Sequence, residues 1–153
     1  MASLQRNGVR LEQVMPLMEE MLASGRSVSF SPRGTSMLPM LRQGVDTVKL
    51  SPAPAKLRKF DLPFYQRDDG QYVLHRIISA GDTYTCMGDN QFVPEPGVRR
   101  DQIIAVVTSF SRGSREISVQ SPGYHLYCRF WHYSRPVRHF YRRVKNCLRR
   151  LLK

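Results

Sequence analysis

No run of about 18 consecutive apolar residues occurs in this sequence, so no transmembrane helix is expected. The N-terminal stretch also lacks the apolar core of a secretory signal, and the expected location is the cytoplasm or the periphery of a membrane. Cysteine is scarce: Cys86, Cys128 and Cys147 are odd in number, and no pair has metal-ligand spacing. They read as reduced thiols, with no metal and no other cofactor implied. Acidic residues are missing altogether from residues 122–153. That segment holds nine of the 24 Lys and Arg, so it is +9, while residues 1–121 carry only +3 of the net +12. An ordinary domain therefore carries a cationic appendix, suited to anionic lipid, nucleic acid or an acidic protein.

What is present fits one domain with a core, since 41% of 153 residues are hydrophobic. Leu11, Val14, Met15, Met18, Met21 and Leu22 recur at helical spacing and predict a helix over 10–24, ended by Gly25. Pro16 is awkward inside it and suits the start of a second helical piece. Residues 27–31, 47–50, 62–66, 72–78, 83–87, 103–110 and 116–119 read as strands, with Asp69-Gly70 as a hairpin turn. Residues 91–97 read as a Pro-rich loop. No internal repeat is visible. The expected fold is mainly β, of the α+β class: a folded-over, barrel-like antiparallel sheet over 27–119 within a domain 1–121. After Pro122 the spacing becomes helical, and Pro136 breaks the helix into two.

The run Gly34-Thr35-Ser36-Met37-Leu38-Pro39 places a hydroxyl on a rigid turn, as a nucleophile requires and as many tight turns also do. Ser36 needs a base. His125, His132 and His139 are seven residues apart, about 10 Å per step along a helix, too far to share one metal ion. His75 sits within an apolar strand, where a core histidine with a satisfied hydrogen bond is the plain alternative. One hairpin later comes Gly88-Asp89-Asn90, and a carboxylate against one ring nitrogen would leave the other free as a base. Ser36, His75 and Asp89 form a candidate triad.

These three motifs, in this order over residues 28–110, resemble the catalytic domain of signal peptidase I and its relatives, the self-cleaving SOS repressors among them. The resemblance implies a serine endopeptidase with Ser36 as nucleophile. His75-Arg76 stands where bacterial members have a lysine base and the endoplasmic-reticulum and archaeal type has histidine. It makes Asp89 the support of that base, with Glu95 or Asp101 as the second acidic residue. It implies an oxyanion site at backbone N–H groups around Ser36, with Gly34 and Thr35 in support. It also implies that an extended peptide, with small side chains before the scissile bond, adds as a strand beside Val28, Phe30, Ser31 and Arg33. Two departures stand out: Gly44-Val45-Asp46 carries an inserted residue, and the anchoring transmembrane helix of the family is absent from this sequence. A histidine base near its ordinary pKa of ~6.5 predicts an activity that falls between pH 8 and 5. Lys49, Lys56 and Lys59 are the alternative bases.

In the tail, an apolar stripe over 137–152 faces Arg138, Arg142, Arg143, Lys145, Arg149 and Arg150, and Trp131 suits a membrane interface. The reading is a peptidase held on an anionic membrane by residues 122–153. A non-catalytic peptide-binding or membrane-associated adaptor is the alternative, and a nucleic-acid-binding protein acting through its tail is the third.

Overall fold

The structure, a computed structural model, describes residues 11–151. The expected helix start at residue 10 and the end of the stripe at Leu152 lie outside them. The fold is α+β, with two antiparallel sheets, one curled into a half-barrel, and three helices.

Helix α1 (Leu11–Ala23) buries Met15, Met18 and Leu22, one face at a spacing of three and four. Pro16 does not split it; the ring lies on the exposed side. The helix ends at Gly25, whose φ of 78° suits a residue without Cβ, with Gly25 N–H and Arg26 N–H donating back to Leu22 and Met21.

The larger sheet contains β1 (Val28–Phe30), β2 (Val48–Pro52), β3 (Pro63–Gln66), β4 (Tyr72–Leu74), β8 (Ile103–Arg112) and β9 (Arg115–Ser118). Its order is β1-β2-β8-β3-β4, with β9 also paired to β8. The ten-residue β8 alternates buried and half-buried positions and is the spine on which β2, β3 and β9 pair. The strands β1 and β4 are left as edges. The smaller sheet is β5 (Arg76–Ala80), β6 (Tyr84–Met87) and β7 (Glu95–Val98), in that order. Strand β7 falls where a loop was expected. Pro94 and Pro96 argued against a strand, but β7 pairs on one side only, where a missing N–H costs no ladder bond.

The run expected as one strand, residues 72–78, is divided at His75. Its first part pairs with β3 and its second with β6, so His75 is the point where the chain leaves one sheet for the other.

Helix α2 (Pro122–Tyr133) starts at Ser121, whose hydroxyl accepts from Tyr124 N–H. Its Tyr124 and Cys128, 5% and 0% exposed, belong to the same core as α1 and the larger sheet. The division at residue 121 therefore does not describe the packing, because α2 is part of the domain's core. Helix α3 (Arg135–Leu151) follows, and residues 139–150 are all exposed or partly exposed, with 141–150 exposed throughout.

Candidate active site

Ser36 rides on a turn held from beneath by Met37, Met40 and Leu41, each no more than 4% exposed. Gly34, at φ 92°, brings the chain into the turn and donates its N–H to Gln43 Oε1 at 2.8 Å. The Leu38–Pro39 peptide is cis. Behind the turn lies the Gly88-Asp89-Asn90 segment. Asn90 N–H donates to the Ser36 carbonyl at 2.8 Å, and Asn90 Nδ2 donates to the Thr35 carbonyl at 3.2 Å. A Cβ on Gly88 would lie 2.6 Å from the Ser36 carbonyl oxygen, so only glycine lets the two segments approach this closely. Among the described residues, the Ser36 backbone N–H has no acceptor.

Ser36 and His75 line one cleft of about 220 Å³. Its walls come from residues 32–34, Ser36 and Met37 after β1, from β4 with Gln71, and from Leu41, Arg67 and Gln91. The cleft thus lies between the segment that follows β1 and the edge strand β4. Arg33 lines it; Val28 is buried in the core and Phe30 packs on Phe64 at 5.5 Å between ring centroids. Ser31 Oγ is within hydrogen-bond distance of Thr47 Oγ1, at 3.3 Å. Of the four residues expected to meet a peptide, Arg33 is the one that borders the cleft. No lysine does; Lys49, Lys56 and Lys59 are exposed elsewhere. The side chains of Ser36 and His75 are not hydrogen-bonded to each other among the described residues.

His75 is 4% exposed. Its Nδ1 lies 3.5 Å from the Tyr65 hydroxyl and 3.7 Å from Glu95 Oε2. The Tyr65 hydroxyl donates to Glu95 Oε2 at 2.8 Å, and Arg67 grips both Glu95 oxygens at 2.7 and 2.6 Å. Since the tyrosine proton is committed to Glu95, the groups facing Nδ1 are acceptors. This assigns the ring proton to Nδ1 and leaves the Nε2 lone pair unoccupied. Burial drives the His75 pKa down to about 4, aided by the Arg67 charge and opposed chiefly by Glu95. The ring is neutral from pH 5 to 8, so the expected activity limb in that interval moves below it. The Arg67 fork holds Glu95 below the usual carboxylate range.

Asp89 takes a different place from the one expected. Its two oxygens accept from Arg76 Nε at 2.8 Å and Nη2 at 2.7 Å, with both side chains 3% exposed. Arg76 Nη1 also donates to the Tyr124 hydroxyl at 2.8 Å, and Tyr127 donates to Asp89 at 3.3 Å. Asp89 therefore fastens the small sheet and α2 together, and the carboxylate beside the histidine is Glu95. Asp101, the other candidate acid, is exposed and paired to Arg99. Tyr65 and Arg67 were missed by sequence reasoning. Tyr65 falls in an expected strand and Arg67 in the expected turn after it, but their meeting with β7 was not visible, since β7 itself was read as a loop. Trp131 and Arg138, expected at a membrane, instead face the domain. Trp131 Nε1 donates to the Asp89 carbonyl at 2.8 Å, and the Arg138 guanidinium lies 3.7 Å from the centre of the indole.

Among the described residues no group of three or more His, Cys, Asp or Glu could hold a metal ion. No helix among them is long and apolar enough to cross a membrane. No protein-family model matches the chain, and no curated protein matches it.

Proposed function

We propose that the chain is a serine endopeptidase with a fold of the signal peptidase type. The observation that carries this reading is the joint lining of one cleft by Ser36 and a neutral His75 backed by Glu95. In the proposed reaction, Ser36 Oγ attacks the peptide carbonyl carbon as its proton passes to His75 Nε2. The oxyanion receives the unpaired Ser36 N–H. Glu95, 3.7 Å from Nδ1, offsets the imidazolium charge that forms. The C–N bond then breaks, the amine leaves with the proton from Nε2, and water repeats the sequence on the acyl-enzyme. Glu95 and Tyr65 are positioning residues here, while Asp89 acts through Arg76 and the Gly88–Asn90 turn.

The substrate proposed is an extended peptide laid between the edges β1 and β4, pairing its backbone with theirs. The absence of a Ser36–His75 hydrogen bond favours a second reading, in which the cleft binds a peptide without cutting it. A fluorophosphonate probe separates them. The wild-type chain is expected to be labelled at Ser36 and to lose labelling in Ser36→Ala and in His75→Ala. A folded wild-type chain that takes no label and cuts no peptide would leave the binding reading.

A further inference from the structure

We infer that α2 and α3 together form a lipid-binding face that seats the domain on an anionic membrane, whatever the cleft does. The ladder of backbone hydrogen bonds runs through their junction: Ser134 N–H donates to Phe130 and Arg138 N–H to Ser134, at 2.9 and 3.1 Å. Ser134 itself has helical dihedrals, φ −76° and ψ −4°. The two helices therefore stay nearly in phase across Pro136. At about 100° per residue, Leu126, Phe130, Val137, Phe140, Val144 and Leu148 fall within about 80° of arc. All six are exposed, from 40% for Val144 to 71% for Leu126 and Val137. The opposite side, with Tyr124, Cys128 and Trp131, is the one that grips the domain. The apolar stripe thus points away from the protein over both helices.

Charge chooses the occupant. Helix α3 carries seven Lys and Arg and no Asp or Glu. Lys145 flanks one side of the stripe and Arg143 and Arg150 the other, about 100–120° from its centre, while Arg142 and Arg149 lie farther round, toward the side that grips the domain. A second copy of the chain would cover the stripe but set cations against cations with no carboxylate between them. Nucleic acid would meet the cations and leave the stripe in water. An anionic bilayer satisfies both, taking the stripe into its acyl boundary and the flanks at its phosphates. Trp131 and Arg138, which the sequence also pointed to, are committed to Asp89 instead, and Leu126 joins Phe130 and the stripe from Val137 on the exposed face.

Cys147 offers a reporter, because it is exposed at the edge of the stripe while Cys86 and Cys128 are buried. The full chain, labelled there with an environment-sensitive thiol dye, should shift to the blue on phosphatidylcholine–phosphatidylglycerol vesicles and not on phosphatidylcholine alone. Trp131 emission should stay where it is. In co-sedimentation, Arg143→Gln, Lys145→Gln and Arg150→Gln together should weaken binding about a hundredfold, at about fivefold per cation. Phe140→Ser, Val144→Ser and Leu148→Ser should abolish the dye shift, with the melting temperature unchanged because these side chains leave the core intact. Equal binding to neutral and anionic vesicles, or none to either, would overturn the inference. So would self-association removed by the serine substitutions, or an oligonucleotide complex insensitive to them.

Discussion

Asp89 and Glu95 lie on either side of the His75–Arg76 pair, and their surroundings set different consequences for losing each charge. Asp89 is deeply buried against Arg76, so Asp89→Asn leaves a guanidinium uncompensated in the interior. A loss of about 3–5 kcal/mol in urea unfolding is expected. Glu95 is partly exposed, and Glu95→Gln should cost only about 1–2 kcal/mol. Its effect should instead appear in peptide cleavage or probe labelling, as a fall of about a hundredfold or more. If Asp89→Asn proves mild in stability and Glu95→Gln harmless in rate, the two roles have been exchanged. His75 gives a pH signature of its own. Its folded pKa of about 4 lies below the unfolded value of ~6.5, so the unfolded chain binds the proton first. Stability should then fall as pH drops from about 6.5 to 4, by about 3 kcal/mol. The carboxylates held low by arginine, Asp46 and Glu95, lose their contribution as pH falls further, from about 4 downward. Comparing wild type with His75→Gln isolates the upper window, since His132, also lowered by burial, contributes equally to both. Parallel stability curves between pH 6.5 and 4.5 would rule this titration out.

At the scale of elements, α2 and α3 differ in what they bury. Tyr124 and Cys128 of α2 fill the core and contact Arg76, whereas the contacts of α3 beyond Arg138 are few. His139 and Arg142 lie against Phe92, at 4.9 and 5.4 Å. Among the described residues, deleting 139–153 removes only such surface contacts. The melting temperature should move by less than about 4 °C, the shift about 1 kcal/mol produces in a domain of this size. Deleting 122–153 also opens the core around Arg76 and leaves its Nη1 without the Tyr124 hydroxyl. That chain should fail to give a cooperative melt. Two truncations of equal stability would show that α2 is dispensable. The sequence separated the tail from the domain because the composition changes at Pro122, but charge reports what a helix shows to solvent, and α2 is held by the few side chains on its other face.

For the whole molecule, the cleft exists because the larger sheet brings the segment after its edge strand β1 beside its other edge strand β4. A peptide paired with such edges offers alternate N–H groups to each neighbour. Methylating its backbone nitrogens one at a time should therefore weaken binding at every residue held between the two neighbours and at none beyond them, by about 0.5–1.5 kcal/mol at each sensitive position. Competition against a fluorescent peptide would measure it, and a peptide insensitive to methylation throughout would argue against strand addition.

The sequence by itself determined the helices, most strands and the turn that carries Ser36. Each is written in neighbouring residues: the periodicity of Met15, Met18 and Leu22, the alternation in β8, and Gly34 where φ is positive. It also marked His75 and the Gly88-Asp89-Asn90 segment, whose part beside Ser36 follows from a glycine that leaves room for a carbonyl. Tertiary structure alone decided which acid faces which base. His75 and Arg76 are adjacent in the chain, yet they serve different carboxylates because the chain changes sheets between β4 and β5. The partner of His75 comes from β7, a strand that local propensity argued against and that the edge of a sheet permits. The pKa of His75 was equally out of reach, because burial, its chief cause, is a property of the packed molecule.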